Sequence, residues 1–281
     1  YAIGANGYIV CLNTQTGKTL WEIDFFKTLG ARNISWGLSE SPLVDGNRLI
    51  VNPGARGASI VALDKMSGKM LWKSQSDEAG YSSAMPVETG GVRQYVVLTG
   101  EAAVGLQAST GELLWRYDKV SNRTANIATP IISGNHVFVS TDYGTGCALL
   151  ELSNSGGKVN AKEVYFNREM RNHYSTSVLL DGILYGYSSA ILTAMDLKTG
   201  DVKWRDRSVG KGQIIYADGK LYLFSENGVA GLAEATPAGY REISRFDIGK
   251  DEYPTWTLPV IANGHFYLRD QDRLMRYRIA K

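Results

Sequence analysis

Short apolar runs recur along this chain in pairs, each pair split by a tight polar turn, with little of the three-and-four spacing of a helix. The clearest pairs occupy 41–51 (Ser-Pro-Leu-Val-Asp-Gly-Asn-Arg-Leu-Ile-Val) and 129–139 (Thr-Pro-Ile-Ile-Ser-Gly-Asn-His-Val-Phe-Val). Variants turn at Asp181-Gly182, Asp218-Gly219 and Asn263-Gly264. Asp-Gly and Asn-Gly between apolar runs predict two-residue hairpins, because such turns need the positive φ that these residues tolerate.

A second kind of hairpin alternates with the first. It reads Asn13-Gly17-Trp21, Asp64-Gly68-Trp72, Gln107-Gly111-Trp115 and Asp196-Gly200-Trp204, each after an apolar run. An Asp or Asn at the end of the run can accept hydrogen bonds from the turn backbone, and the glycine takes the left-handed position. The tryptophan then lands on the next strand. Each unit therefore holds four strands, A to D, in an up-and-down meander. Four short strands cannot bury both faces alone, so units must stack face to face, and one large aromatic per unit suits such a stack.

Four-stranded units repeating every 40 or so residues describe an all-β fold, a β-propeller. Complete units run over 41–75, 85–118, 129–166, 177–207 and 212–247. Two are worn, near Leu149–Phe166 and Gly231–Phe246, where Phe stands near the Trp position. The first 26 residues supply strands B to D, and 258–281 supply A to C. The expectation is a single propeller domain over 1–281 with 26 strands, seven blades at least partly visible, and an N-terminal blade and first inner strand missing from an eight-bladed ring.

Composition fits a soluble globular protein, 44% apolar and 21% charged. Thirty basic residues against 28 acidic ones, with no block of like charge, argue against a nucleic-acid partner. No stretch is long and apolar enough to span a bilayer. Cys11 and Cys147 sit three repeats apart and are expected as buried free thiols. His136, His173 and His265 fall in different units without metal-ligand spacing.

The pattern at Ala62, Asp64, Gly68, Lys69 and Trp72 resembles the tryptophan-docking repeat of the PQQ-binding-like propeller superfamily, and the likeness covers essentially the whole chain. That superfamily includes the quinoprotein alcohol dehydrogenases and the outer-membrane assembly lipoprotein BamB. The stretches 4–21 (GANGYIVCLNTQTGKTLW), 36–46 (WGLSESPLVDG) and 90–100 (GGVRQYVVLTG) are similar to exported PQQ-like repeat proteins of planctomycete type. The resemblance implies an exported, periplasmic location and a propeller fold. It leaves the activity open, because one fold hosts many functions.

Three readings follow. The leading one is a non-catalytic, monomeric platform without a cofactor, which binds a protein, peptide or glycan. The second is a quinoprotein dehydrogenase acting on an alcohol or sugar, for which the resemblance implies PQQ, a calcium ion and a pair of adjacent cysteines that this chain lacks. The third is a BamB-like assembly subunit. With four tryptophans assigned to docking, Trp36 and Trp256 remain. They lie in the loops from strand D into the next strand A, which in a propeller open around the channel. Trp36, Glu40, Tyr81, Asn126, His173, Tyr174, Lys211, Gln213 and Trp256 are the expected ligand-binding residues, and no catalytic or metal-ligating residue is assigned.

Overall fold

A computed structural model describes residues 1–249 and 251–279. Among them, twenty-six strands form seven antiparallel sheets, five of four strands and a three-stranded one at each end. Blade 1 spans 2–24, blade 2 43–74, blade 3 85–117, blade 4 131–167, blade 5 178–206, blade 6 212–247 and blade 7 260–278. Every sheet is a simple meander. The sole helix among the described residues, Phe25–Leu29, follows blade 1 and is capped by Asp24.

The first hairpin of each blade turns as its sequence dictates. Ala217 pairs with Lys220 across Asp218-Gly219, both at positive φ, and Ala262 pairs with His265 across Asn263-Gly264 in the same way. The twist of such turns matches that of the flanking strands. In the C–D hairpin, Asp64 Oδ1 accepts from the backbone N–H of Met66 and Ser67 at 3.1 and 2.9 Å. Asn13 and Asp196 repeat this bond pair. Gly68 donates its N–H to the Asp64 carbonyl at 2.8 Å, with φ of +72°.

The chain packs as two compact units, Tyr1–Phe166 and Asn167–Lys281. In the first, apolar side chains interleave between consecutive blades. Ile9 and Phe25 meet Leu49, Val51, Val61 and Leu63. Ile50, Ile60 and Ala62 meet Tyr95, Val97, Val104 and Leu106. Val96, Leu98 and Trp115 meet Val137, Val139, Leu150 and Leu152. In the second unit, Tyr185, Leu192 and Ala194 pack against Ile214, Leu221 and Leu223, and Phe224 and Ala230 against Phe266 and Leu268. Burying a side chain of this size contributes roughly 1.5–3 kcal/mol, so each inter-blade seam outweighs any single hydrogen bond in it.

Docking of the tryptophans is directional. Trp21 donates Nε1–H to the Lys65 carbonyl at 3.1 Å, and Trp72 does the same to Ala108 at 3.1 Å. In the second unit, Trp204 donates to Thr236 at 2.9 Å. Each acceptor lies in the C–D turn of the following blade. Trp115 departs from the pattern and donates instead to Gln94 Oε1 of its own blade at 2.7 Å. The reason is its successor: blade 4 replaces the short turn with a long hairpin of strands Gly146–Ser155 and Lys158–Asn167. Phe246, at the worn Trp position, packs against Tyr277 with ring centroids 4.8 Å apart. Cys11 and Cys147 are buried free thiols.

Candidate functional site

The D–A connections and the strand starts beside them gather eight of the nine sequence-predicted residues into two groups, one per unit, and leave Glu40 apart. In the first unit, Trp36 and Tyr81 meet edge to face at 5.8 Å, and the Trp36 backbone N–H donates to the Tyr81 hydroxyl at 3.3 Å. Trp36 remains 49% exposed. Tyr81 N–H donates to the Asn126 carbonyl at 2.8 Å. The buried Asn126 amide donates in turn to the carbonyls of Thr99, Gly100 and Asn122, which fastens this loop to the B–C turn of blade 3. Asn126 is thus a strut, with its polar capacity used on backbone.

Tyr81, Gly100, Asn122 and Asn126 of this group line a cavity of about 610 Å³, and Trp36 stands outside its lining. Three successive D–A connections line it, through Arg32, Asn33 and Ser35, through Glu78 and Tyr81, and through Asn122, Arg123 and Thr124. The B–C turns add Gly54, Arg56 and Gly100. Arg32, Arg56 and Arg123 are exposed and make no ion pair or hydrogen bond among the described residues, whereas Arg93, Arg116, Arg205 and Arg273 elsewhere are each paired with carboxylates. The cavity therefore presents three guanidinium groups against one carboxylate, that of Glu78.

Glu40 lies apart from this cavity. It is 5% exposed, and one carboxyl oxygen accepts the backbone N–H of Asn52 while Oε2 meets no protein donor. Burial pushes its pKa up to about 8, and the Asn52 N–H pulls the other way. At neutral pH it is a protonated acid inside the blade 2 entry.

In the second unit, Tyr174 and Trp256 stack at 5.9 Å and 30°, and His173 meets Tyr174 edge to face at 5.4 Å. Gln213 holds this pair in place: its amide donates to the Tyr174 carbonyl at 3.1 Å and the Trp256 carbonyl at 2.8 Å. Lys211 Nζ sits 5.0 Å from the centre of the Tyr174 ring. Glu226, from the B–C turn of blade 6, pairs with Lys211 at 3.6 Å and accepts from Trp256 Nε1 at 3.4 Å. Burial, then the Glu226 carboxylate, raises the Tyr174 pKa, so its phenol stays protonated. Trp256 is 45% exposed above this frame.

Arg56 and Glu226, absent from the sequence-predicted set, come from B–C turns, whereas the break in the repeat marks only the D–A loops. Arg32 and Arg123 lie beside Asn33-Ile34-Ser35 and within Asn122-Arg123-Thr124, two triplets that match the Asn-X-Ser/Thr glycosylation pattern, common by chance, and nothing in the local pattern marks these arginines. Asn122 is engaged otherwise: Oδ1 accepts from Thr124 and Ala125, and Nδ2 donates to Ala125 and Asn126.

Among the described residues no three His, Cys, Asp or Glu side chains converge as metal ligands, and the four docking indoles are spent between or within blades. No helix among them is long and apolar enough to cross a membrane.

A family model described as outer membrane protein assembly factor BamB matches residues 1–206. The chain is similar to outer membrane protein assembly factor BamB of Yersinia pestis, with 23% identity over 99% of this chain and 70% of the relative. It is also similar to a polyvinylalcohol dehydrogenase of Pseudomonas sp, 27% identical over 51% of this chain and 25% of that protein. Among solved structures, BamB from Moraxella catarrhalis superposes with a TM-score of 0.70 at 15% identity, covering 97% of this chain and 78% of that one.

Proposed function

The chain belongs to the family of outer membrane protein assembly factor BamB, a PQQ-like β-propeller family, and from that starting point we propose that it is a non-catalytic, exported docking platform for a protein partner in outer-membrane protein assembly. The observation that carries this reading is the Tyr174–Trp256 stack. A large aromatic that is partly exposed, stacked on Tyr174, bonded to Glu226 through its indole N–H and tied at its backbone carbonyl by Gln213 has less entropy to lose on binding. Lys211 and Glu226 supply a charged rim that can orient a partner. Aromatic anchors framed by polar groups are what protein interfaces concentrate at their centres.

The test places a photo-cross-linker at position 256 in exporting cells and identifies the attached protein. An outer-membrane protein or a component of its assembly machinery is the expected product. PQQ titrated with calcium is the counter-test. Stoichiometric PQQ binding with dye-linked alcohol oxidation would overturn the platform reading in favour of a dehydrogenase.

A further inference from the structure

The geometry of the first unit points to a second ligand, beyond a protein partner: we propose that its 610 Å³ cavity binds a carboxylate-bearing saccharide, a short oligomer of uronic acid units. The charge comes first. Arg32, Arg56 and Arg123 arrive from three separate loops, none neutralised by a neighbour among the described residues, whereas Arg93, Arg116, Arg205 and Arg273 have carboxylate partners. Three unpaired arginines at one cavity favour an anionic ligand over a neutral or cationic one. Their planar forks match the two oxygens of a carboxylate.

The rest of the lining selects the kind of anion. Asn33, Ser35, Ser76 and Thr124 present amide and hydroxyl groups, which suit the dense vicinal hydroxyls of a sugar. Tyr81 offers a half-buried ring as a stacking face, braced by Trp36. The lining is more polar than apolar, which favours a hydroxyl-rich ligand over the hydrophobic anchor of a peptide. The cavity also opens at the loop ends of the blades, away from strand edges, and so offers no backbone ladder for an added strand. Its volume falls in the range of small-ligand sites and accommodates a short oligosaccharide.

Calorimetric titration with trigalacturonate tests the assignment, with its methyl ester as the uncharged control. Saturable binding is expected, weakened at least tenfold by esterification and progressively by added salt. Arg56→Gln and Arg123→Gln should each weaken binding about tenfold, and the double variant should abolish it. Both side chains are exposed, so thermal unfolding of the variants should match the parent. Absence of trigalacturonate binding, equal affinity for the ester, or unchanged affinity in the double variant would overturn the proposal. So would tighter binding of a pentaglutamate peptide, which would reassign the cavity to acidic chains of protein. Because the cross-link at position 256 reads a different group of residues, failure here leaves the platform reading standing, and the reverse holds too.

Discussion

Trp21 and Trp72 each use the N–H and the ring face on different parts of one turn. Trp72 donates to Ala108 while its ring covers Gly111, where an added Cβ would lie 2.5 Å from the indole. Gly111 also has φ of +76°, so alanine there meets backbone strain and a steric clash together. Gly46 shares the positive φ but has nothing within 4 Å of its would-be Cβ. Gly111→Ala should therefore cost about 3 kcal/mol and Gly46→Ala about 1, measured by denaturant unfolding. Glu40 supplies a second prediction at this scale. A carboxyl whose folded pKa lies at about 8, above its ordinary 4.5, stabilises the fold fully below pH 4.5 and progressively less as pH rises through 8. The loss amounts to about 5 kcal/mol at most. Glu40→Gln should flatten that slope and exceed the parent in stability above pH 8, read from unfolding curves across pH 4–9. Turn chemistry at Asn13, Asp64 and Asp196 was legible in the sequence because donor and acceptor lie within three residues. The raised pKa of Glu40 was not, since it depends on burial by residues remote in sequence.

Blades and hairpins follow the alternation of apolar runs closely, down to the three-stranded sheets at either end. The partner of a given tryptophan is less legible, because it depends on what the next blade offers. Trp115 has the same local sequence pattern as its counterparts, yet the long hairpin of blade 4 removes the turn it would have met. Gln94, fully buried, takes over as acceptor and passes its own N–H to Thr89 at 3.3 Å. Gln94→Leu should cost about 2 kcal/mol by stranding a buried indole N–H. Trp115→Phe combined with it should cost less than the sum of the two single changes, a non-additivity that a double-mutant cycle in urea will reveal.

At the scale of the molecule, near-neutral net charge concealed a local excess. Thirty basic and 28 acidic residues read as balanced, while folding drew Arg32, Arg56 and Arg123 to one cavity from loops up to 91 positions apart. Loop positions flagged by their break from the repeat, such as Tyr81 and Tyr174, did come together with their neighbours, since repeats place equivalent loops at equivalent ends. Trp256→Ala should abolish capture of the protein partner with trigalacturonate affinity unchanged, and Arg56→Gln should leave capture intact while weakening trigalacturonate about tenfold, as read by affinity pull-down with the cross-linked partner and by calorimetry. The forward reach of Trp21 to Lys65 and of Trp72 to Ala108 has a temporal meaning as well. A nascent chain leaving the ribosome completes blade 1 only when blade 2 has emerged, and blade 2 only when blade 3 has. For these two blades the indole N–H finds its acceptor only once the successor is made, so there the order of translation is also the order of closure.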